Sequence, residues 1–439
     1  MSRSDPEPDI TRRRLNLALA ALLALAIVRL WIVPLPSSFW TDEAGTVFVV
    51  RYAASHGWAA VSPQFPQSIY YALPRIAGAL GGFSEVVYRL PSTLAMGAAL
   101  ILIASLAARL IHPEAAWFAV FACLALRGFN FLAADARPYG LGMAIMAAAL
   151  WFLVRWLDRA RWRDAALFVL FAALLWPVHP LYWPFYLVFT AYAIVRLASK
   201  ETNVTWLRAG AVFSVLALLL APVFVEAVVF AGRARMHVIS PELPGPRALA
   251  YSLEPGLVAV CWAGAWLLSL LYRWSTAAAR PARSSLVLIA LWWLCCPLSL
   301  FAFSHLTGIG VFVPRYYSLA LPGAALAATA LAAARQRRLA RSRPYHRPTR
   351  HRSGHSHRLP QPIRRGATTG VEAGLSASVD PLFSAGGLSG PRPRDSVSVL
   401  LLARSGALRR RARANRPPRF RPLLRVRPQG QRVFLGELV

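Results

Sequence analysis

Four places in this sequence set ionisable side chains beside long apolar runs: Asp42-Glu43 in FWTDEAG, Asp135-Ala136-Arg137-Pro138-Tyr139, His179 inside WPVHPLYW, and Arg315 in FVPRYY. Acids near lipid are costly unless they are paired or put to use. Arginine forks bind carboxylate or phosphate oxygens two at a time. Acids and arginines gathered at a lipid boundary therefore suit a substrate that is part phosphate and part lipid. Each place also has a plainer reading. Asp42 and Glu43 fit the first turn of a helix with Thr41 as N-cap, where the helix dipole favours acids. Asp135 and Arg137 fit an ordinary helix-to-helix turn, with Pro138 in the first turn of the next helix. His179 fits a structural histidine among interfacial aromatics, and Arg315 fits a side chain snorkelling to headgroups.

The elements that must position these residues are helices built for hydrocarbon. The chain has 439 residues, 57% hydrophobic and only 15% charged, with mean hydropathy +0.46. That apolar excess is too large for one water-soluble core. The expectation is an all-α polytopic membrane protein of about ten transmembrane helices, each needing about 20 apolar residues. They are residues 15–33, 91–111, 115–134, 139–157, 165–178, 181–197, 209–230, 257–272, 286–305 and 316–334. A shorter segment, 73–82, opens with Pro74 and Arg75 and is expected to lie in the membrane interface. Residues 15–33 read as a permanent first span, because the apolar stretch is long and no small-residue cleavage site follows it. The four cysteines lie inside apolar runs and read as packing residues.

Orientation follows from the basic residues, which are enriched in loops kept in the cytoplasm. Arg12, Arg13 and Arg14 precede the first span, and Arg155, Arg159, Arg161, Arg163, Arg196, Lys200, Arg208, Arg273, Arg280 and Arg283 fall on that same side by alternate crossings. Both termini are expected in the cytoplasm of a cell with this chain in its inner (plasma) membrane. Residues 1–14 form the cytoplasmic N-terminus, residues 34–90 the first external loop, and all four chemical features face outside. In that loop Ala44, Val47, Phe48 and Tyr52 recur at helical spacing, which predicts an amphipathic helix on the outer membrane face.

Composition changes at Arg335. Residues 335–439 hold 24 of the 49 basic side chains and four of the 18 acids, among many Pro, Ser and Gly, so most of the net charge of +31 belongs to this tail. It cannot bury enough apolar area to fold alone, and disorder is expected. Three readings compete: contact with anionic headgroups, out-of-frame sequence from a GC-rich gene, and a nucleic-acid arm. The last is disfavoured, since no folded reader or aromatic stacking platform accompanies it. No function is taken from the tail.

The order of features from about residue 15 to 334 resembles the GT-C glycosyltransferases, in the branch of protein O-mannosyltransferases, the lipid A aminoarabinose transferase and rhizobial lipopolysaccharide sugar transferases. The matching residues are Asp42-Glu43 after the first span, Arg89-Leu90-Pro91-Ser92 before the next, Ala136 to Tyr139 at a later outer turn, and Arg315-Tyr316 before a late span. The basic tail departs from that pattern, since many members continue into further spans or an external domain. The resemblance implies inverting transfer of a sugar from a polyprenyl-phosphate carrier to a glycan, lipid or protein acceptor outside the membrane. It casts Asp42 as the general base and Glu43 as a supporting or metal-contacting group. Arg137 and Arg315 become the phosphate ligands, with Tyr139, His179, Asp135 and Arg89 as further substrate-binding candidates. A divalent metal accords with the family, although no ligand spacing here demands one.

Two rival classes predict different patterns. A multi-span transporter or lipid flippase would carry ionisable residues at mid-depth, where only Glu226 and Arg127 stand. An inert scaffold would depend on the tail.

Overall fold

The computed structural model describes residues 7–56, 68–234, 243–271 and 281–342. The basic tail beyond them and the Glu226 side chain lie outside the described residues. Among the described residues there are helices and turns and no strand. In chain order the helices are α1 (Glu7–Ile27), α2 (Thr41–His56), α3 (Ala72–Gly81), α4 (Glu85–Leu110), α5 (Ala115–Ala125), α6 (Arg127–Ala133), α7 (Pro138–Arg159) and α8 (Trp162–Val178). They continue as α9 (Pro184–Ala198), α10 (Trp206–Ala234), α11 (Pro246–Ser252), α12 (Pro255–Leu271), α13 (Arg283–Thr307), α14 (Pro314–Tyr317) and α15 (Leu321–Ser342).

Among the described residues, seven stretches of helix are long and apolar enough to cross a membrane: Arg13–Ile32, Glu85–Leu110, Pro138–Arg159, Pro180–Ala198, Trp206–Val225, Arg283–Thr307 and Pro314–Ala334. The chain is a multi-pass membrane protein. The remaining three expected spans differ for identifiable reasons. Residues 115–134 form two helices bent by 85° at Leu126, whose backbone is extended. The Asn130 amide caps the break, donating to Leu124 O at 2.7 Å and Leu126 O at 3.1 Å, while its oxygen accepts from Trp31 Nε1 at 3.0 Å. Hydrophobicity alone cannot report such a break, because both halves remain apolar. The other two, α8 and α12, have 17 residues each. At 1.5 Å per residue each rises about 25 Å over the described residues, yet α8 still runs from Asp164 at one end of the bundle to His179 at the other.

Two more elements shift. The ten-residue α3 is too short to cross and is amphipathic, as the sequence predicts. Helix α15 runs eight residues past the expected boundary at Ala334, because Arg, Gln, Leu and Ala at 335–341 are all good helix formers.

Helices α7 and α15 sit deepest. At Gly323 of α15 an added Cβ would meet the Trp293 nitrogen at 2.4 Å and the Trp293 Cα at 2.6 Å, so α13 and α15 touch backbone to backbone. Gly140 of α7 makes a similar approach to Ser92 O and Leu132 O. Small residues let helices approach this closely where lipid supplies no hydrophobic drive.

The two ends of the bundle are chemically distinct. At one end Asp158 bridges Arg109 of α4 and Arg196 of α9, Arg196 also meets Tyr192 Oη at 2.9 Å, and Arg155 meets Asp164 at 3.1 Å. Glu201 accepts from Ser284 at the start of α13. The other end holds every residue singled out in the sequence for chemistry.

Candidate functional site

Adjacent residues on a helix point about 100° apart, and α2 uses this to separate its two acids. Glu43 is fully buried. Its Oε1 accepts from Arg89 Nε and from Ala136 N, both at 2.7 Å, and its Oε2 from Arg89 Nη2 at 2.5 Å and Trp40 N at 3.2 Å. The bond to Trp40 N reaches back from the third helical position to the residue before the helix, half of a capping box. The cap position thus falls on Trp40, one residue earlier than the expected Thr41, and Ala44 N closes the first turn on Trp40 O at 2.9 Å.

Arg89 is buried as well and spends its remaining donors on the loop entering α2. Nη1 meets Leu35 O at 2.7 Å and Ser37 O at 2.6 Å, and Nη2 meets Ser38 O at 3.2 Å. Charge-assisted, two-pronged bonds of this kind are the strong ones. The pair joins the first loop, α2, α4 and the 134–137 turn at one point, leaving neither residue a free atom for a ligand.

Asp42 faces the other way. Its side chain remains 25% exposed and forms an ion pair with Arg315, itself 28% exposed, at the start of α14. Arg137 Nη1 donates to Asp42 O at 3.1 Å and Thr46 Oγ1 at 3.4 Å, while its Nε is buried without a hydrogen-bond partner. One open carboxylate therefore stands between two guanidinium groups.

Behind it lies an aromatic wall. The His179 ring centroid sits 5.0 Å from Tyr316, 5.1 Å from Tyr182 and 5.8 Å from Tyr139. His179 Nδ1 accepts from Leu181 N at 3.3 Å, which caps the turn Pro180–Tyr182. Burial first, then the neighbouring Arg137 and Arg315, push its pKa down to about 3. The imidazole is neutral at physiological pH and adds no positive charge to the site.

Asp135 lies beneath this arrangement, 1% exposed, with Oδ1 accepting from Trp40 Nε1 at 3.0 Å. The turn it begins is tied to α4 through Ser92 Oγ on Arg137 O and Thr93 Oγ1 on Ala133 O. Pro138 takes the first position of α7, as expected. Of the eight residues chosen from sequence, Asp42, Arg137 and Arg315 meet directly, Tyr139 and His179 stand behind them, and Glu43, Arg89 and Asp135 are packed below. Sequence reasoning gave no role to Trp40, Thr46 or Tyr182. Trp40 stands inside FWTDEAG, next to the acids it helps to hold, and Tyr182 inside WPVHPLYW, three residues after His179.

A divalent ion finds no cage here. Both Glu43 oxygens are occupied by nitrogen donors, and among the described residues no three His, Cys, Asp or Glu side chains cluster closely enough to hold a metal. Glu43 as it stands ties the loop to α2 and keeps no oxygen open to a metal.

Residues 68–225 match the sequence model of the family described as dolichyl-phosphate-mannose-protein mannosyltransferase. The match contains Arg89, Asp135, Arg137, Tyr139 and His179, and excludes Asp42 and Arg315. Among solved structures, ArnT from Cupriavidus metallidurans superposes in its apo state with TM-score 0.51 and bound to undecaprenyl phosphate with TM-score 0.52. The chain has the GT-C fold. Identity to ArnT is 16%, and each superposition covers 72% of this chain and 60% of ArnT. The arabinosyltransferase EmbB from Mycobacterium smegmatis overlaps more loosely, with TM-score 0.46 at 19% identity over 76% of this chain and 31% of that one, and carries no argument. No curated protein sequence matches the chain. In this fold Asp42, Arg315 and Arg137 come together at one end of the helices.

Proposed function

We propose that this chain is a membrane glycosyltransferase that moves a sugar from a polyprenyl-phosphate carrier to an acceptor hydroxyl at the external membrane face. The observation that carries the reading is the half-open Asp42–Arg315 pair, with Arg137 alongside, on a fold whose ArnT example binds undecaprenyl phosphate. In the step proposed, the acceptor oxygen bonds to the anomeric carbon as its proton passes to Asp42. The bond from that carbon to the phosphate oxygen breaks, and the polyprenyl phosphate leaves with the electron pair. Arg315 and Arg137 receive the charge that develops on the phosphate.

The ion pair gives an order to these events. Without donor, Arg315 holds the Asp42 carboxylate. A phosphate arriving at Arg315 competes for the same guanidinium and releases Asp42 toward the acceptor. Glu43 and Arg89 take a supporting role, since they fix the loop and helix that aim Asp42. His179, neutral and ringed by Tyr139, Tyr182 and Tyr316, backs the site from within the core.

The external assignment rests on the basic loops, which gather at the end of the bundle opposite the site. Membranes containing or lacking the chain, supplied with radiolabelled polyprenyl-phosphate sugars, test the reaction. Faster turnover of the labelled carrier is expected with the chain present. Purified protein should bind undecaprenyl phosphate, and Arg315→Ala and Arg137→Ala should each weaken that binding about tenfold or more, as loss of a charge-assisted bond does. Absence of both turnover and binding overturns the proposal.

A further inference from the structure

We propose that Asp135 is a positioning residue: it fixes the Trp40 indole and thereby the helix turn that carries Asp42. The catalytic consequence rests on the function proposed above, whereas the positioning itself does not. Trp40 is held at two points. Its indole nitrogen donates to Asp135 Oδ1 at 3.0 Å and its backbone nitrogen to Glu43 Oε2 at 3.2 Å, while its ring packs edge-on against Phe131 at 5.8 Å. Asp42 follows two residues later, in the first turn of α2. Asp135 is too deeply buried to touch a substrate, so any influence on Asp42 must pass through Trp40.

The second Asp135 oxygen decides its charge state. Oδ2 is buried and has no hydrogen-bond partner. The groups that face it are Glu43 from α2, Arg89 from α4, Arg137 from its own turn, and Tyr70 from the turn Ile69–Tyr71. Arg89 is committed to Glu43 and to loop carbonyls, and Arg137 Nη1 to Asp42 O and Thr46. Two buried carboxyl groups thus share one committed guanidinium. Burial, seconded by the Glu43 charge, raises the Asp135 pKa to about 7 against the opposing pull of Trp40, Arg137 and Arg89. A proton on Oδ2 removes the clash. Its loss puts a second negative charge beside Glu43 and loosens the turn.

Linkage gives the direction. An acid whose pKa is raised on folding binds its proton more tightly in the folded chain, so its contribution to stability falls as pH climbs from the ordinary carboxylate range to about 7 and is flat above. Asp135→Asn mimics the protonated group and removes this dependence. Thermal unfolding of the purified full chain should show wild type losing ground to Asp135→Asn between about pH 4 and 7. Trp40→Phe removes a bond that favours the charged carboxylate, so it should move the midpoint of that loss upward. In transfer assays Asp135→Asn should stay within about threefold of wild type near pH 6 and overtake it by about fivefold or more above pH 8, whereas Asp135→Ala should lower the rate throughout without weakening undecaprenyl phosphate binding. Parallel stability curves for wild type and Asp135→Asn, an unmoved midpoint in Trp40→Phe, or equal rates for Asp135→Asn and Asp135→Ala near pH 6 each overturn the proposal. Because the unfolding curves need no substrate, they decide it even where no transfer is found.

Discussion

Asp42 and Glu43 are neighbours in sequence with opposite fates, and one turn of helix is the reason. The side chain turned inward meets Arg89 and two backbone nitrogens, and the one turned outward meets Arg315. Substitutions should separate them by kind. Asp42→Asn keeps shape and polarity but cannot take a proton, so sugar transfer should fall at least about 10²-fold. Its unfolding should barely move, since a first-turn acid at a helix start is worth about 0.3–1 kcal/mol. Undecaprenyl phosphate binding should persist, because the phosphate is assigned to the arginines. Near wild-type transfer in a well-folded Asp42→Asn protein would reduce Asp42 to a helix-start residue. Arg89→Met should do the reverse. It strands a buried carboxylate, which costs about 3–5 kcal/mol, and a purified protein with unchanged thermal unfolding would contradict the clamp described here.

At the scale of elements, the site stands where helices begin and end: the starts of α2, α4, α7 and α14 and the end of α8. Their mutual approach depends on small residues rather than on hydrophobic attraction. Gly323 illustrates it, since any side chain there runs into the α13 backbone at Trp293. Gly323→Ala should cost about 1–3 kcal/mol through overpacking. Gly97 of α4 is the contrast, because an added Cβ meets nothing within 4 Å there. Gly97→Ala should be neutral or stabilising by up to about 1 kcal/mol, from helix propensity alone. Equal unfolding temperatures for the two variants would mean that α13 and α15 are not in backbone contact. On α2, Phe48 and Tyr52 lie with ring centroids 4.9 Å apart on the face left exposed, while Thr46, Val49 and Val50 turn inward. Of the apolar stripe expected from sequence, Ala44, Phe48 and Tyr52 face away from the protein while Val47 packs inward.

The whole molecule is polar in the sense of having two unlike ends. Asp42, Arg315 and Arg137 mark one, and the arginine network around Asp158 marks the other. If basic loops stay in the cytoplasm, Ser37 and Ser199 lie on opposite sides of the membrane. A cysteine at Ser37 should react with a membrane-impermeant reagent in intact cells, and one at Ser199 only after permeabilisation. Both positions are exposed, so burial does not confound the result. Labelling at Ser199 alone would invert the orientation and move the site to the cytoplasmic face.

Apolar length and the spacing of arginines suffice to determine from sequence that this is a helical multi-pass protein, because the hydrocarbon thickness imposes one length on every span. They also suffice to place Asp42, Arg89, Arg137, His179 and Arg315 at the same end of the bundle, since alternate crossings return alternate loops to one face. Three matters belong to tertiary structure alone. The break at Leu126 depends on the Asn130 amide capping freed carbonyls while Trp31 holds its oxygen, and no count of apolar residues contains that. The division of labour between Asp42 and Glu43 depends on which partner each meets across 46 residues to Arg89 and 273 to Arg315. The charge state proposed for Asp135 depends on burial beside Glu43, with Arg89 and the Nη1 of Arg137 already committed. Hydrophobicity is a property each segment carries by itself, whereas pairing and charge state are properties of neighbours, which only the folded chain brings together.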